Sequence, residues 1–414
     1  VNDVLPRSRA YQCVLVGLLS LNFGIVFFDR NALNFLMPSI QPELGLTNTQ
    51  VGVLASALSL SWALAGLLVG RLSDALGRRK ALLVVAALVF SGACFLSGLA
   101  HSFVALLAAR LLMGLAEGGV MPISQAMVAA EVAPARRGLA MGVTQNFGAN
   151  LLGNFLGPIV VVAFAVAFGW RQAFYLAALP GVVVAILILL LVREPPVARA
   201  DEASGNTFAM IRSAVRQRNV VVCVVLSILL VAFAVVFMAF VPLYLVNQRG
   251  MQPSVMSWLM SMFGLTSIAF AFLVPGSSDL VGRRPVVIAM AAVGMLLPLS
   301  ILFVEGPVWP LFVLFGVGAA VSGIFPIVMA TIPSETVPPQ LLATVLGLTM
   351  GLGEVIGGVL SPAIAGAAAD AYGLRATLWI LVALSAATCA LAFALRETAP
   401  VVLARQPAAA CSEA

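Results

Sequence analysis

Two hexapeptides in this chain nearly repeat one another. Asp74-Ala75-Leu76-Gly77-Arg78-Arg79 recurs as Asp279-Leu280-Val281-Gly282-Arg283-Arg284, each between long apolar runs. The order of other landmarks repeats as well: Pro122 with Pro326, Glu131 with Glu335, Pro134 with Pro338, Gly142 with Gly347, Pro158 with Pro362, and Gly169-Trp170-Arg171 with Gly373-Leu374-Arg375. Internal similarity over half the chain restricts the fold to two related bundles. Two similar membrane halves are the arrangement in which one half rocks against the other about a site near the bilayer midplane, so the repeat points to transport before any solute is considered.

The halves belong in a bilayer. Of 414 residues 62% are hydrophobic and 9% are charged, a composition outside the range of soluble globular domains. The charges gather in connectors, and twelve apolar stretches between them reach the ~20 residues a helix needs to cross a bilayer. The first runs from about Gln12 to Met37 and the fifth from about Gly138 to Phe168. The expected fold is an all-α membrane protein with twelve transmembrane helices in two pseudo-symmetric six-helix halves. Residues 1–192 form the first bundle, 193–219 a cytoplasmic linker, 220–396 the second bundle and 397–414 a cytoplasmic tail. Thr207 to Arg218 is expected to form a basic surface helix within the linker.

Lys and Arg set the orientation. With the N-terminus inside, the inner connectors hold Arg71, Arg78, Arg79, Lys80, Arg136, Arg137, Arg283 and Arg284, whereas the outer ones hold Arg171, Arg249 and Arg375. That asymmetry places both termini in the cytoplasm of a cell whose inner membrane the chain spans many times. The net charge of +6 reflects topology and attraction to anionic inner-leaflet lipid, with no nucleic-acid partner required. Cys13, Cys94, Cys223, Cys389 and Cys411 form no disulfide framework, the first apolar run is too long for a cleavable signal, and no cofactor is expected. An enzyme is not expected either: the only histidine, His101, falls in an outer loop, and neither a metal nor a nucleophile constellation is present.

Five charges interrupt the apolar spans: Asp29, Arg30, Arg110, Glu117 and Glu354. A charge near the bilayer centre costs about 2.5 to 3.5 kcal/mol even on the lenient insertion scale, so each is a functional candidate, with a static ion pair as the plainer alternative. Asp29 in the first span and Arg110 in the fourth fall at similar depth. Glu117 follows Arg110 by seven residues, on the same face and ~10 Å deeper. Asp29 beside a cation is expected to stay ionised, and Glu117 among Gly114, Gly118 and Gly119 to take up a proton more readily. Two acids with separated proton affinities suit proton coupling, and Arg30 and Arg110 suit an anion.

Neutral polar groups complete the candidate site. Asn146, Asn150 and Asn154 fall at i, i+4 and i+8 on the fifth span, where they serve either a solute or helix-to-helix hydrogen bonds. Glu354 is expected to line a cavity, and Tyr244 to contact substrate or, with Phe237 and Phe240, to fill the core. The repeated hexapeptides carry a mechanical reading. Asp74 would face the cytoplasmic N-terminus of the eleventh span and Asp279 that of the fifth, latching the halves on the inside through charge and helix dipole. Gly77 and Gly282 would make the turns, with Arg78, Arg79, Arg283 and Arg284 holding the loops inside.

These residues carry a family resemblance. Gly70-Arg71-Leu72-Ser73-Asp74 with Gly77-Arg78-Arg79 resembles the loop signature of the major facilitator superfamily, and Arg110 with Gly114 and Gly118 resembles its helix 4 signature. More narrowly, Asp29-Arg30, the run Arg110, Gly114, Glu117 and Pro122, and Gly169-Trp170-Arg171 resemble the anion:cation symporter family of hexuronate, galactonate and phthalate carriers and of vesicular glutamate and sialic acid transporters. The resemblance implies proton-driven import of a small organic anion by a protein of a fold type that commonly works as a monomer, with Asp29 and Glu117 as the protonatable acids and Arg110 as the helix 4 arginine. Glu131-Val132-Ala133-Pro134 departs from that family's aromatic-Pro pair. The Asp-Arg and Arg-to-Glu spacing is also similar to the spinster-like lipid carriers, so a lipid or amphiphile exporter is the alternative, followed by a membrane sensor without turnover.

Overall fold

The computed structural model describes residues 8–194, 212–213 and 216–404, without the side chains of residues 67, 70, 71, 74, 134, 135, 339, 340 and 343. Most of the expected surface helix over 207–218, most of the linker, the end of the tail and the Asp74 side chain lie outside the described residues. Every regular element among them is helical, and twelve helices are long and apolar enough to cross a membrane. In chain order they are α1 (Arg9–Leu44), α2 (Asn48–Leu76), α3 (Arg79–Gly98), α4 (Phe103–Glu131), α5 (Arg136–Phe168), α6 (Trp170–Leu191), α7 (Arg218–Gln248), α8 (Pro253–Val281), α9 (Arg283–Phe303), α10 (Trp309–Thr336), α11 (Thr344–Tyr372) and α12 (Arg375–Ala392).

The helices outrun the apolar stretches that announce them. α1 continues through Pro38 and Pro42 to Leu44 and stops at Gly45, whose positive φ of 60° lets its N–H return to Gln41. Its far end is held by the Gly-Trp-Arg motif: the Trp170 indole N–H donates to Glu43 at 2.5 Å, Arg171 pairs with the same carboxylate, and the guanidinium lies 4.1 Å over the Trp170 ring. We call the end of the first bundle where α1 begins proximal and the end where α1 stops distal.

The described residues fall into two compact units. One comprises Val1–Ala203 with Met238–Leu265 and Pro362–Leu374; the other comprises Ser204–Phe237, Thr266–Ser361 and Arg375–Ala414. Parts of α7, α8 and α11 thus pack with the first bundle, and glycine is the physical reason. A Cβ on Gly52 would overlap the Pro362 carbonyl, one on Gly366 the carbonyl of Asn48, and one on Gly264 the backbone of Asn154. Small residues let helix backbones meet where larger side chains would hold them apart. The same contact caps a helix. Asp370 accepts the N–H groups of Asn48 and Thr49 at 2.9 and 2.8 Å and the Thr49 hydroxyl at 2.6 Å, at the positive end of α2.

The second unit holds an aromatic cluster. Phe237 stacks on Phe233 with centroids 6.0 Å apart and leans on Phe315 at 6.1 Å. Gly353 and Gly357 of α11 bring its backbone against Ser227 and Ile228 of α7, where Ser227 donates to the Thr349 carbonyl at 2.7 Å.

Candidate functional site

The buried charges meet inside the first bundle. Asp29 and Glu117 are 0% exposed and Arg110 is 2% exposed, because α4 turns Leu106, Arg110, Met113 and Glu117 onto one inward stripe. Arg110 reaches α1 as the shared depth requires: its Nη1 donates to the Arg30 carbonyl at 3.1 Å. The expected direct pairing of Asp29 with an arginine is not what forms. Both carboxylates, and the Nε and Nη2 of Arg110, have no hydrogen-bond partner among the described residues. Acids and cation therefore share a buried interior in which charge is compensated at a distance, with the Cys94 thiol of α3 beside Asp29 and within electrostatic reach of all three.

Arg30 occupies a different position. It is half-buried, with Nη2 3.4 Å from the Ser59 hydroxyl and the guanidinium 5.8 Å above the Phe27 ring, a cation-π distance. It is more accessible than Arg110.

The asparagine stripe of α5 forms a chain of hydrogen bonds. Asn31 Nδ2 donates to Asn154 Oδ1 at 2.9 Å, Asn154 Nδ2 to Asn150 Oδ1 at 3.0 Å, Asn150 Nδ2 to the Asn146 carbonyl at 3.1 Å, and Asn146 Nδ2 to the Gly142 carbonyl at 3.4 Å. The helix widens here into π-type turns at Val143–Phe147 and Ala149–Leu156, a feature common at functional sites. Asn31, which joins α1 to this chain, was hidden by its charged neighbours Asp29 and Arg30, although three consecutive polar residues in an apolar run were signal enough. The half-buried amides keep spare donor and acceptor capacity.

The remaining candidates divide between the units. Tyr244 is buried in a wide turn at Tyr244–Gln248 of α7, with the first bundle. Glu354 is half-buried in another at Gly353–Gly358 of α11, in the second unit.

The repeated hexapeptides form two loops, each turning at its glycine. Gly77 and Gly282 take positive φ of 64° and 117°, as turns without a Cβ allow. Arg283 pairs with Asp279 at 2.6 Å and with Glu335 at 2.8 Å, and its Nη1 donates to Ser278 at 2.6 Å. Two acids that sequence reasoning missed cap the helices that follow. Glu194 accepts the Lys80 N–H at 3.1 Å, whereas Glu397 accepts those of Arg283 and Arg284 at 2.7 and 3.1 Å. Both follow an arginine just after the last helix of a half, as Arg193-Glu194 and Arg396-Glu397, and that echo could have found them. Burial works to raise the Glu397 carboxyl, but the N–H groups of Ala399, Arg283, Arg284 and Thr398 outweigh it and hold the group below its ordinary value.

With this geometry in view, comparison with known proteins fixes the family. The Major Facilitator Superfamily profile matches residues 19–252 and 228–410, so the chain belongs to that superfamily. It is 31% identical over 264 residues to the protein named hexuronate transporter in Bacillus subtilis (strain 168), a match that covers 60% of this chain and 61% of that one. It is 29% identical over 339 residues to the "Probable 4-methylmuconolactone transporter" of Cupriavidus pinatubonensis, covering 80% and 78%. The matched stretch thus spans less than two thirds of the hexuronate protein's length. Among solved structures, a bacterial homologue of the human lysosomal transporter Spinster, inward-facing and unoccupied, superposes with a TM-score of 0.74 at 18% identity over 96% of each chain, a likeness of fold.

Proposed function

We propose that this protein is a secondary transporter that imports a small organic anion together with protons. The observation that carries the reading is the buried set of Asp29, Arg110 and Glu117 inside a membrane bundle: two carboxylates that accept no hydrogen bond among the described residues, and a guanidinium that spends only its Nη1. Such groups are costly in a bilayer and mark ion or proton pathways. The relatives named for hexuronate and methylmuconolactone support an organic solute.

In this mechanism Asp29 and Glu117 take up and release protons while Arg110 balances their charge. Arg30, being half-buried, meets the substrate carboxylate, and the amides of Asn146, Asn150 and Asn154 meet its other oxygens. Tyr244 and Glu354 are further substrate contacts in this reading. The two halves rock to expose the site alternately, with the loops around Asp74 and Asp279 as latches on the cytoplasmic side, where both termini lie. One monoanion moving with two protons carries one net charge inward, worth about 2.3 kcal/mol at 100 mV.

The test is uptake into proteoliposomes of a panel of sugar acids, aromatic acids and short carboxylates, with and without an imposed proton gradient. Concentration of one of these driven by the gradient, with an inward current, supports the reading. Movement of lysolipids in place of every acid would overturn it in favour of an amphiphile exporter.

A further inference from the structure

Buried polar atoms in the first bundle extend beyond the charged set. Asn22 is 0% exposed with neither amide atom hydrogen-bonded among the described residues, and Ser124 is 1% exposed with its Oγ likewise unpartnered. Their place follows from helix register. Ser20, Gly24, Phe27 and Asn31 form the face of α1 against α5, since Ser20 bonds Val143 and Gly148, Gly24 abuts Gly148, Phe27 abuts Gly153 and Asn31 bonds Asn154. At about 100° per residue, Asn22 and Asp29 project from the opposite face. Asp29 there acts on Cys94, Arg110 and Glu117, so that face looks toward α3 and α4.

Depth follows too. The bond from Arg110 to the Arg30 carbonyl sets Arg110 level with the Asp29 turn of α1. α1 and α4 run in opposite directions, so seven residues back from Asp29 and seven forward from Arg110 arrive at one level, that of Asn22 and Glu117. Another seven residues along the same inward stripe of α4 lead to Ser124, about 10 Å nearer the proximal end.

We propose that Asn22 and Ser124 form the route by which the Glu117 proton leaves toward the proximal end. This deepens the proton-coupled reading above and rests on it. A neutral amide that both donates and accepts orients a water against the Glu117 carboxyl, and a hydroxyl that does the same hands the proton on. Glu117 gives its proton to that water as the water releases one toward Ser124. The carboxylate remains, and no bonds other than O–H bonds change. Asn22 positions and does not titrate. Packing alone does not account for such side chains, because an apolar residue of similar size would fill the space without an unmet polar atom.

The experiment uses the full chain in proteoliposomes, with a hexuronate as the probe solute, and compares gradient-driven uptake with counterflow exchange at equal pH. Asn22→Leu and Ser124→Ala are each expected to lower the ratio of uptake to exchange about tenfold and to enlarge the slowing in D2O, while Ser124→Thr, which keeps the hydroxyl, restores the ratio. Melting of Asn22→Leu at or above the parent temperature shows that the fold is intact. An unchanged ratio and solvent isotope effect in both variants overturn the proposal, as does equal slowing of uptake and exchange. Glu117→Gln in the same assay separates the two ideas. If it still accumulates solute against a gradient, the proton-coupled reading itself falls, whereas if it alone is uncoupled, only the route falls.

Discussion

Thr49 gives both its N–H and its hydroxyl to Asp370, 321 residues further along the chain. The carboxylate sits two residues before the end of α11, in Asp370-Ala371-Tyr372-Gly373. The same pattern, Asp74-Ala75-Leu76-Gly77, ends α2. Both glycines have positive φ, 82° and 64°. The helix that Asp370 caps is therefore the one that carries Asp74 at its other end. Asp370→Asn keeps the shape and removes the charge, and it should weaken distal closure by about 1 to 2 kcal/mol. Spin labels on the distal ends of α2 and α11 should then report a larger fraction of long distances, and an unaltered distribution would show that the cap does no gating.

Glu117→Gln tests the proton-coupling assignment. The amide cannot release a proton, so accumulation against a gradient should fall to the equilibrium level while solute exchange continues. Uphill accumulation by this variant would remove Glu117 from the mechanism.

The two arginines should fail differently. Arg30→Ala is expected to weaken solute binding by about 1.5 to 3 kcal/mol, roughly ten- to a hundredfold, as loss of a charged hydrogen bond does. Arg110→Lys should leave binding closer to the parent and impair coupling, because a flexible ammonium cannot hold the Arg30 carbonyl as Nη1 does and keep the rest of its charge spread toward both acids. Calorimetric affinities beside proton flux separate the outcomes, and equal loss of affinity in both would place Arg110 in the anion site as well.

Glu397 gives a pH dependence with a definite sign. Its folded carboxyl lies below the ordinary value of 4.5, so its stabilisation is complete above that value and is lost as pH falls from there through the folded value. Thermal unfolding between pH 7 and pH 3.5 should show the parent losing more stability than Glu397→Gln. Parallel curves would mean that the cap on α9 contributes nothing to the pH dependence.

How far the sequence revealed this protein depends on distance along the chain. Asp29, Arg110 and Glu117 stood out because a charge in an apolar run is conspicuous by itself, and seven-residue spacing gave their shared face. The twelve spans were legible for the same local reason. Glu194 and Glu397 resembled ordinary connector charges, since each acquires its role only when the chain returns to a helix start 114 residues away. The division into units was hidden too. Gly52 and Gly366 look like any membrane glycines until two helices more than 300 residues apart in sequence cross at their Cα atoms. Asn22 is a single amide among leucines, and its place becomes legible only once the face of α1 occupied by α5 is known.

The wide turns of α5 have a consequence for how such a bundle can move. A π-type turn holds one residue more than the turn it replaces, so converting it to regular α-helix shifts the register beyond it by one residue, about 100° of rotation. Further wide turns occur in α7, α10 and α11, at Tyr244–Gln248, Ile327–Thr331 and Gly353–Gly358. A helix with such slack can act as a screw as well as a lever: torsion about its own axis would carry Asn146, Asn150, Asn154, Tyr244 or Glu354 into and out of register.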